Sequence, residues 1–467
     1  MRVQYFLTLL MMIVSTVLGC DSDAEEGGLQ GIWEGSLRYP GFESRIVFVI
    51  TPKPDGTFDA TMLRPDQSDE ETRVSEVVFT NSRVRLQVDR VGGCFDGLLE
   101  AQGKTIEGQW QQGRWSQPLV LKKVSAVAAP RRPQTPVAPF PYDEQDVTFV
   151  NTETDAKLAG TLTLPRTDGP YPAVILIPGG GAHDRDYVIL QHRPFLVLAD
   201  HLTRHGIAVL RFDERGVGES TGDRSQATSE DSAGDVLAGW SLLRTLESID
   251  PNRIGLIGHS EGGTIAALAA AQRPDVAFIV MMGSPGLPGK QYNLQFEEST
   301  ARSLGQSEEA IAARVRFQER VLSVVIEEQD RVVAEARLRH LYRELSPSMP
   351  PAQIEGGLKR LLSPWFRFNV THDPGATLRA VQCPVLAVIG EKDVQVPPEG
   401  NLEAIQQALQ TGGNDHHRVE ELPGLNHFFQ TCATGSPVEY GRIEETMSPT
   451  VLSLICNWIL DLGEADL

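Results

Sequence analysis

Arg253-Ile-Gly-Leu-Ile-Gly258-His259-Ser260-Glu261-Gly262-Gly263 is the stretch on which the fold turns. The apolar run through Ile257 has the length and composition of a buried strand, and the small residues from Thr264 to Ala271 suit a helix packed against a sheet. Between them lies a G-x-S-x-G pattern. A strand that reverses directly into a helix leaves no room for side chains beside the central serine. Glycines at 258 and 262 supply that room because they have no Cβ. Such a turn lifts the Ser260 hydroxyl above the sheet edge and aims the helix N-terminus at it. A five-residue match alone recurs by chance, so the strand before it and the helix after it give it weight.

A serine hydroxyl becomes a nucleophile only when a base takes its proton, and the base must itself be oriented. Pro384-Val-Leu-Ala-Val-Ile389 reads as a second buried strand, and Asp393 follows it in Gly390-Glu391-Lys392-Asp393. Loops past the carboxyl ends of parallel strands are where sites gather in open α/β sheets, which favours Asp393 as the orienting acid. Glu391 is the alternative. Arg418-Val-Glu-Glu-Leu-Pro423 reads as the last strand, and Gly424-Leu425-Asn426-His427 follows it, ahead of a helix over 450–462. His427 is the candidate general base, while His416 and His417 fall in a polar loop and are expected at the surface. A third apolar run, Ala173 to Ile177, opens into Pro178-Gly179-Gly180-Gly181. Glycines there let backbone N–H groups face a developing alkoxide. Gly180 is the expected donor, with Gly181 as its neighbouring alternative, and the N–H of Glu261 is the second.

In these segments the chain resembles the α/β-hydrolase superfamily of serine hydrolases. More narrowly it is similar to bacterial esterases and to serine-aminopeptidase-like and prolyl-oligopeptidase-like hydrolases. The glycine loop ending in Asp184-Arg185-Asp186, the Phe212-Asp213-Glu214-Arg215-Gly216-Val217-Gly218-Glu219-Ser220 segment, the serine turn, Gly390-Glu391-Lys392-Asp393 and Leu425-Asn426-His427 carry the resemblance, over roughly Val147 to Leu462. It implies Ser260 as nucleophile, Asp393 as acid, His427 as base, and Gly180 and Glu261 as oxyanion donors. The family's glycine loop often has a central serine followed by Gly-Pro; here Gly180-Gly181-Ala182-His183 stands instead. His183 is expected to pack or face solvent rather than to react. Asp213 and Arg215 are expected to form a structural ion pair bracing the loop after the strand Ile207 to Phe212.

The chain has 467 residues, 41% of them hydrophobic, which is more than one domain's worth, and a net charge of −20. Phosphate-backbone binding requires a basic footprint, so nucleic acid is not an expected partner. The same acidity argues against a polybasic grip on anionic lipid. Tyr5 to Leu18 is an apolar run behind Arg2, short for a membrane span and of signal-peptide type. Val17-Leu18-Gly19-Cys20 resembles a bacterial lipobox, which implies export, a signal peptide over 1–19, lipidation of Cys20 and an acidic tether over 20–28. Membrane association is then expected only through that anchor, with soluble secretion as the alternative. Cysteines 94, 383, 432 and 456 remain, and an oxidising compartment permits disulfides. Cys432 with Cys456 is the first pairing to expect. No C-x-x-C or H-E-x-x-H spacing occurs, so neither a metal nor a cofactor is expected.

Residues 29–123 have a different texture, with short alternating segments between Asp-Gly, Gly-Gly and Asn-Ser turns. Period-two alternation of this kind predicts an all-β barrel or sandwich. Its opening, Gly31-Ile-Trp-Glu-Gly35, resembles those of lipocalin-like barrels. A Pro-rich linker over 124–142 leads to an α/β-hydrolase domain over 143–467, in which strand and helix alternate. That alternation stops after Gly283-Ser284-Pro285-Gly286, and a helical cap is expected over about 287–370, with Trp365 or Phe366 as one pocket wall. The expected function is hydrolysis of a small-molecule ester through an acyl-enzyme. The competing expectations are a peptidase acting on short peptides with the same residues, and a non-catalytic binding protein working through its β domain.

Overall fold

The computed structural model describes residues 28–462, apart from 40–41, 67, 114, 129, 346–348 and 350. The expected signal segment and Cys20 lie outside the described residues. Among the described residues no helix is long and apolar enough to cross a membrane. The chain divides into two units, one holding nearly all of residues 28–128 and the other residues 130–462.

The first unit is a nine-stranded sheet. Its strands are β1 (Gly31–Tyr39), β2 (Phe42–Pro52), β3 (Phe58–Arg64), β4 (Ser68–Arg73), β5 (Glu76–Thr80), β6 (Arg83–Val88), β7 (Gly93–Leu99), β8 (Thr105–Gln112) and β9 (Trp115–Val124). The order β4-β3-β2-β1-β9-β8-β7-β6-β5 makes β9 the partner of β1. Alternation decides which side chains go inward: Val84, Leu86 and Val88 of β6 are buried and the residues between them are not. The core is aromatic, with Phe48 6.4 Å from Phe95 and 6.3 Å from Trp110 between ring centres. Trp33 is fully buried, and its indole N–H donates to the Leu29 carbonyl at 2.8 Å.

The second unit contains an eight-stranded sheet in the order β10-β11-β13-β12-β14-β15-β16-β17. Its strands are β10 (Asp143–Asn151), β11 (Ala156–Leu164), β12 (Tyr171–Ile177), β13 (Ala208–Phe212), β14 (Ile249–His259), β15 (Ile279–Met282), β16 (Val385–Gly390) and β17 (His417–Leu422). β10 and β11 are antiparallel, and from β13 to β17 every neighbour is parallel. A parallel sheet is covered on both faces, which is why its strands read as unbroken apolar runs. Ala173, Ile175 and Ile177 pack on one face with the helices Ser229–Leu243 and Glu261–Gln272. Val174 and Leu176 pack on the other with the helices Pro194–Arg204 and Pro449–Asp461. The strand order reverses at β12, so the crevice above the carboxyl ends of β12 and β14 is the switch point where such sheets hold ligands.

Between β15 and β16 lie the helices Gly289–Ser303, Glu308–Glu327, Arg331–Leu345, Pro351–Leu361 and Pro364–Thr371. They bury their own cluster, including Leu322, Val325, Leu338 and Phe366, and form a helical cap. Ser307 and Ser363 cap two of them by accepting from the Ala310 and Phe366 amides.

Two expectations need correction. Cys94, Cys383, Cys432 and Cys456 are all free. Cys456 faces the core from the last helix, whereas the Cys432 thiol turns to the Gly424 carbonyl at 3.6 Å. Asp213 and Arg215 do not pair with each other either. The chain enters a turn at Arg215, and Asp213 takes Arg185 at 2.8 Å while Arg215 takes Asp235 at 2.7 Å.

Candidate active site

Ser260 stands between β14 and the helix Glu261–Gln272 with φ 56° and ψ −122°. A residue with a Cβ holds such angles only under compulsion from its surroundings. Here the compulsion is packing on both sides of the turn. A Cβ on Gly258 would sit 2.0 Å from the Gly262 carbonyl oxygen, and one on Gly262 would sit 2.1 Å from that of Ile177. The two glycines thus let strand, helix and the end of β12 touch, and the serine takes the strain.

His427 Nδ1 meets Asp393 Oδ2 at 2.7 Å, and both side chains are almost wholly buried. Asp393 Oδ1 accepts the Gln395 and Val396 amides at 2.8 Å each, so a two-bond turn fixes the carboxylate. Its second oxygen is left to accept a hydrogen bond from the Nδ1–H. That choice of tautomer leaves Nε2 as the basic nitrogen, with no protein partner among the described residues. Glu391, the alternative acid, instead accepts the Gly424 amide at 2.7 Å and braces the turn that precedes His427.

A chain of hydrogen bonds that the sequence did not announce runs beneath these groups. The Gly179 amide donates to the Tyr187 hydroxyl at 3.2 Å, and that hydroxyl lies 3.0 Å from His259 Nδ1. His259 Nε2 lies 2.8 Å from the His427 carbonyl. A carbonyl only accepts, so Nε2 carries the proton and Nδ1 accepts from Tyr187. Burial holds the His259 imidazole well below its usual range and keeps it neutral. The glycine loop, the strand before Ser260 and the His427 loop are thereby tied into one unit. His259 belonged to the quoted motif, but nothing in its spacing marked Tyr187 as its partner.

Among the described residues no acceptor takes up the N–H of Gly180 or of Glu261, and both residues line the pocket that Ser260 lines. The Glu261 side chain turns away from the serine. Its Oε1 accepts from the Ser229 hydroxyl and the Trp365 indole at 2.6 Å each. Burial pushes its carboxyl upward and those two bonds oppose the rise. Trp365 comes from the cap and is a pocket wall, as expected. Phe366 also lines the pocket while filling the cap's own core. The pocket, of about 180 Å³, takes further walls from Tyr292, Phe296 and Phe368, with Arg360 beside them. The Arg360 guanidinium lies 5.9 Å from the centre of the Phe366 ring, and no carboxylate among the described residues pairs with it. His183, as expected, is a packing residue: its ring meets Tyr187 at 4.5 Å and its backbone N–H donates to Glu214 at 2.8 Å.

A parallel sheet with this strand order, a serine at a strained strand-to-helix turn and a cap inserted beside it define the α/β-hydrolase class. Residues 172–431 match the alpha/beta hydrolase fold family, and the chain belongs to that family. It is similar to Esterase EstD of Thermotoga maritima, 25% identical over 325 residues that make up 69% of each chain. Esterase FrsA of Vibrio vulnificus is 30% identical over 130 residues, 28% of this chain and 29% of that one. An esterase structure from Pyrococcus furiosus covers 68% of this chain and 91% of its own, at 16% identity and a TM-score of 0.41.

Proposed function

We propose that this hydrolase is an exported serine carboxylesterase. The observation that carries the reading is the His427–Asp393 pair at 2.7 Å, with Nε2 left free, on the loops flanking the strained Ser260 turn. In this reading His427 Nε2 takes the hydroxyl proton as Ser260 Oγ bonds to the acyl carbon. The carbonyl oxygen gains negative charge and is held by the N–H groups of Gly180 and Glu261. The imidazolium is stabilised by Asp393 and returns its proton to the departing alcohol. Water then repeats the sequence on the acyl-enzyme and frees the acid.

The pocket supports an ester over a peptide with a free amino terminus. Holding an ammonium group requires an unengaged carboxylate. Among the described residues Glu261 is the one carboxylate lining the pocket; burial pushes its carboxyl toward the neutral form, and its Oε1 already accepts from Ser229 and Trp365. Arg360 adds positive charge to the same walls. Hydrolysis of p-nitrophenyl esters of graded acyl length tests the reading, with Ser260→Ala beside the wild type. Loss of the nucleophile is expected to lower kcat by about 10⁶ and to abolish labelling by a fluorophosphonate. Wild-type protein that neither hydrolyses any ester nor takes the label would overturn the proposal. Export and lipidation at Cys20 belong to the same proposal and are supported by the sequence of residues 1–28. Metabolic labelling with a fatty acid should mark the wild type and spare Cys20→Ser; equal labelling of both would remove the anchor.

A further inference from the structure

The side chains of His201, His205 and Cys456 converge at a place the hydrolase reaction does not use. One ligand atom from each, two imidazole nitrogens and a thiol sulfur, lies within 4.8 Å of the others. The histidines are one helical turn apart on Pro194–Arg204 and the residue that caps it, and Cys456 comes from the neighbouring helix Pro449–Asp461. Spacing of i and i+4 puts two imidazoles on one helix face, and their ring centres stand 4.5 Å apart. The His205 ring is held at one of its nitrogens. Its Nδ1 donates to the His201 carbonyl at 2.7 Å, which leaves the Nε2 lone pair free. His201 makes no side-chain hydrogen bond to protein among the described residues. The Cys456 thiol is buried, free of any disulfide and without a hydrogen bond there.

We propose that these three residues bind a zinc ion. Two imidazoles and a thiolate are a borderline-soft donor set that suits zinc and offers little to magnesium or calcium. Zn–N distances near 2.0 Å and a Zn–S distance near 2.3 Å place tetrahedral ligands about 3.5 Å apart. Side-chain shifts of roughly 1 Å close the observed set to that size. The exposed side of His205 leaves the fourth position to water. Binding replaces the thiol proton, so each ion taken up releases one proton as the zinc–sulfur bond forms. The site lies far from the serine. His205 precedes Ala208, which pairs with Ala173 near the start of β12, whereas Ser260 stands beyond the carboxyl ends of the strands. The ion therefore clamps the first and last helices on one face of the sheet and takes no part in ester cleavage.

The test uses the untagged full chain, stripped with a chelator and titrated with cobalt chloride and then zinc chloride. One equivalent of cobalt should produce a thiolate-to-metal charge-transfer band that zinc abolishes. Zinc at a hundredfold excess over its dissociation constant should raise the melting temperature by roughly 3 °C. Both responses should be lost in Cys456→Ser and sharply weakened in His205→Ala, whose exposed position lets it fold normally. Ester hydrolysis should be the same in His205→Ala as in the wild type, so failure of this inference leaves the esterase reading standing. A wild type without the charge-transfer band, or a band and shift that survive in His205→Ala, would overturn the proposal.

Discussion

His259 and Tyr187 show how a residue can matter to a reaction without touching the reacting atoms. Removing the Tyr187 hydroxyl strands the Gly179 N–H and His259 Nδ1, which share it at present. Leaving buried polar groups unpaired costs about 1–3 kcal/mol. Tyr187→Phe is therefore expected to lower stability by that amount in urea unfolding. It should also reduce kcat more than it raises KM, because the loop carrying Gly180 loses its tie. An unchanged unfolding midpoint would show that the chain of bonds does not hold the loop. Glu214 makes a second prediction at this scale. Burial pushes its carboxyl from 4.5 up to about 7, against the opposing pull of Arg224 at 2.5 Å. In the unfolded chain this group loses its proton near its ordinary value, and in the folded protein it holds on until about pH 7. The unfolded state thus binds fewer protons through that window, and the contribution of Glu214 to stability falls as pH rises from about 4.5 to 7. Glu214→Gln should remove that decline, so its melting temperature relative to the wild type should climb between pH 5 and pH 8. A difference that is flat or falls with pH would refute the assignment. Ser260, Asp393 and His427 were legible as candidates because their types follow from the chemistry of acyl transfer and their order along the chain from the fold. Tyr187 was not, since a tyrosine in the middle of a long loop carries no local mark of what it will meet 72 positions later.

The helix Ser229–Leu243 begins with a reciprocal cap. Asp231 accepts the Thr228 amide at 2.8 Å while the Thr228 hydroxyl accepts the Asp231 amide at 3.4 Å. Thr228→Ala is expected to cost about 1 kcal/mol of stability. Chemical denaturation checks this, and a loss indistinguishable from zero would mean that the first turn is held by packing instead. Element by element, the sequence spoke most clearly where both faces of a strand are buried. β12, β16 and the second half of β14 are continuous apolar runs and were read within a few residues. In the all-β unit the alternating segments were legible, but β4, β7 and β9 were not. β4 is Ser-Asp-Glu-Glu-Thr-Arg, with no apolar rhythm at all. β7 is broken by Gly93 and Gly97, and β9 carries Pro118 in its middle. Each is a strand because its neighbours offer an edge to pair with, and local propensity does not record that. The missed β10 and β11 form the antiparallel end of the second sheet, where polar and apolar residues alternate only in part. The wrong disulfide has the same origin: nearness in sequence says little about which way a helical cysteine faces.

At the scale of the whole molecule, every residue assigned to the reaction belongs to the second unit, as does the cap that walls the pocket. Residues 130–462 expressed alone are therefore expected to hydrolyse the same p-nitrophenyl esters as the longer chain. A fragment that folds by circular dichroism yet fails to turn over would assign the β unit a direct part in the reaction. The five cap helices leave the sheet after β15 and rejoin it at β16, and those two strands are hydrogen-bonded neighbours. An excursion that departs and returns at adjacent points can be exchanged as a cassette, and swapping it would reset substrate choice while sparing the chemistry. One joint in that cassette is keyed. Trp365 donates to Glu261, the residue directly after the serine, so a transplanted cap that brings no donor to that carboxylate would leave a buried acid half-answered at the base of the Ser260 turn. Lineages that trade caps should therefore carry a hydrogen-bond donor at this joint or lose the acid it serves.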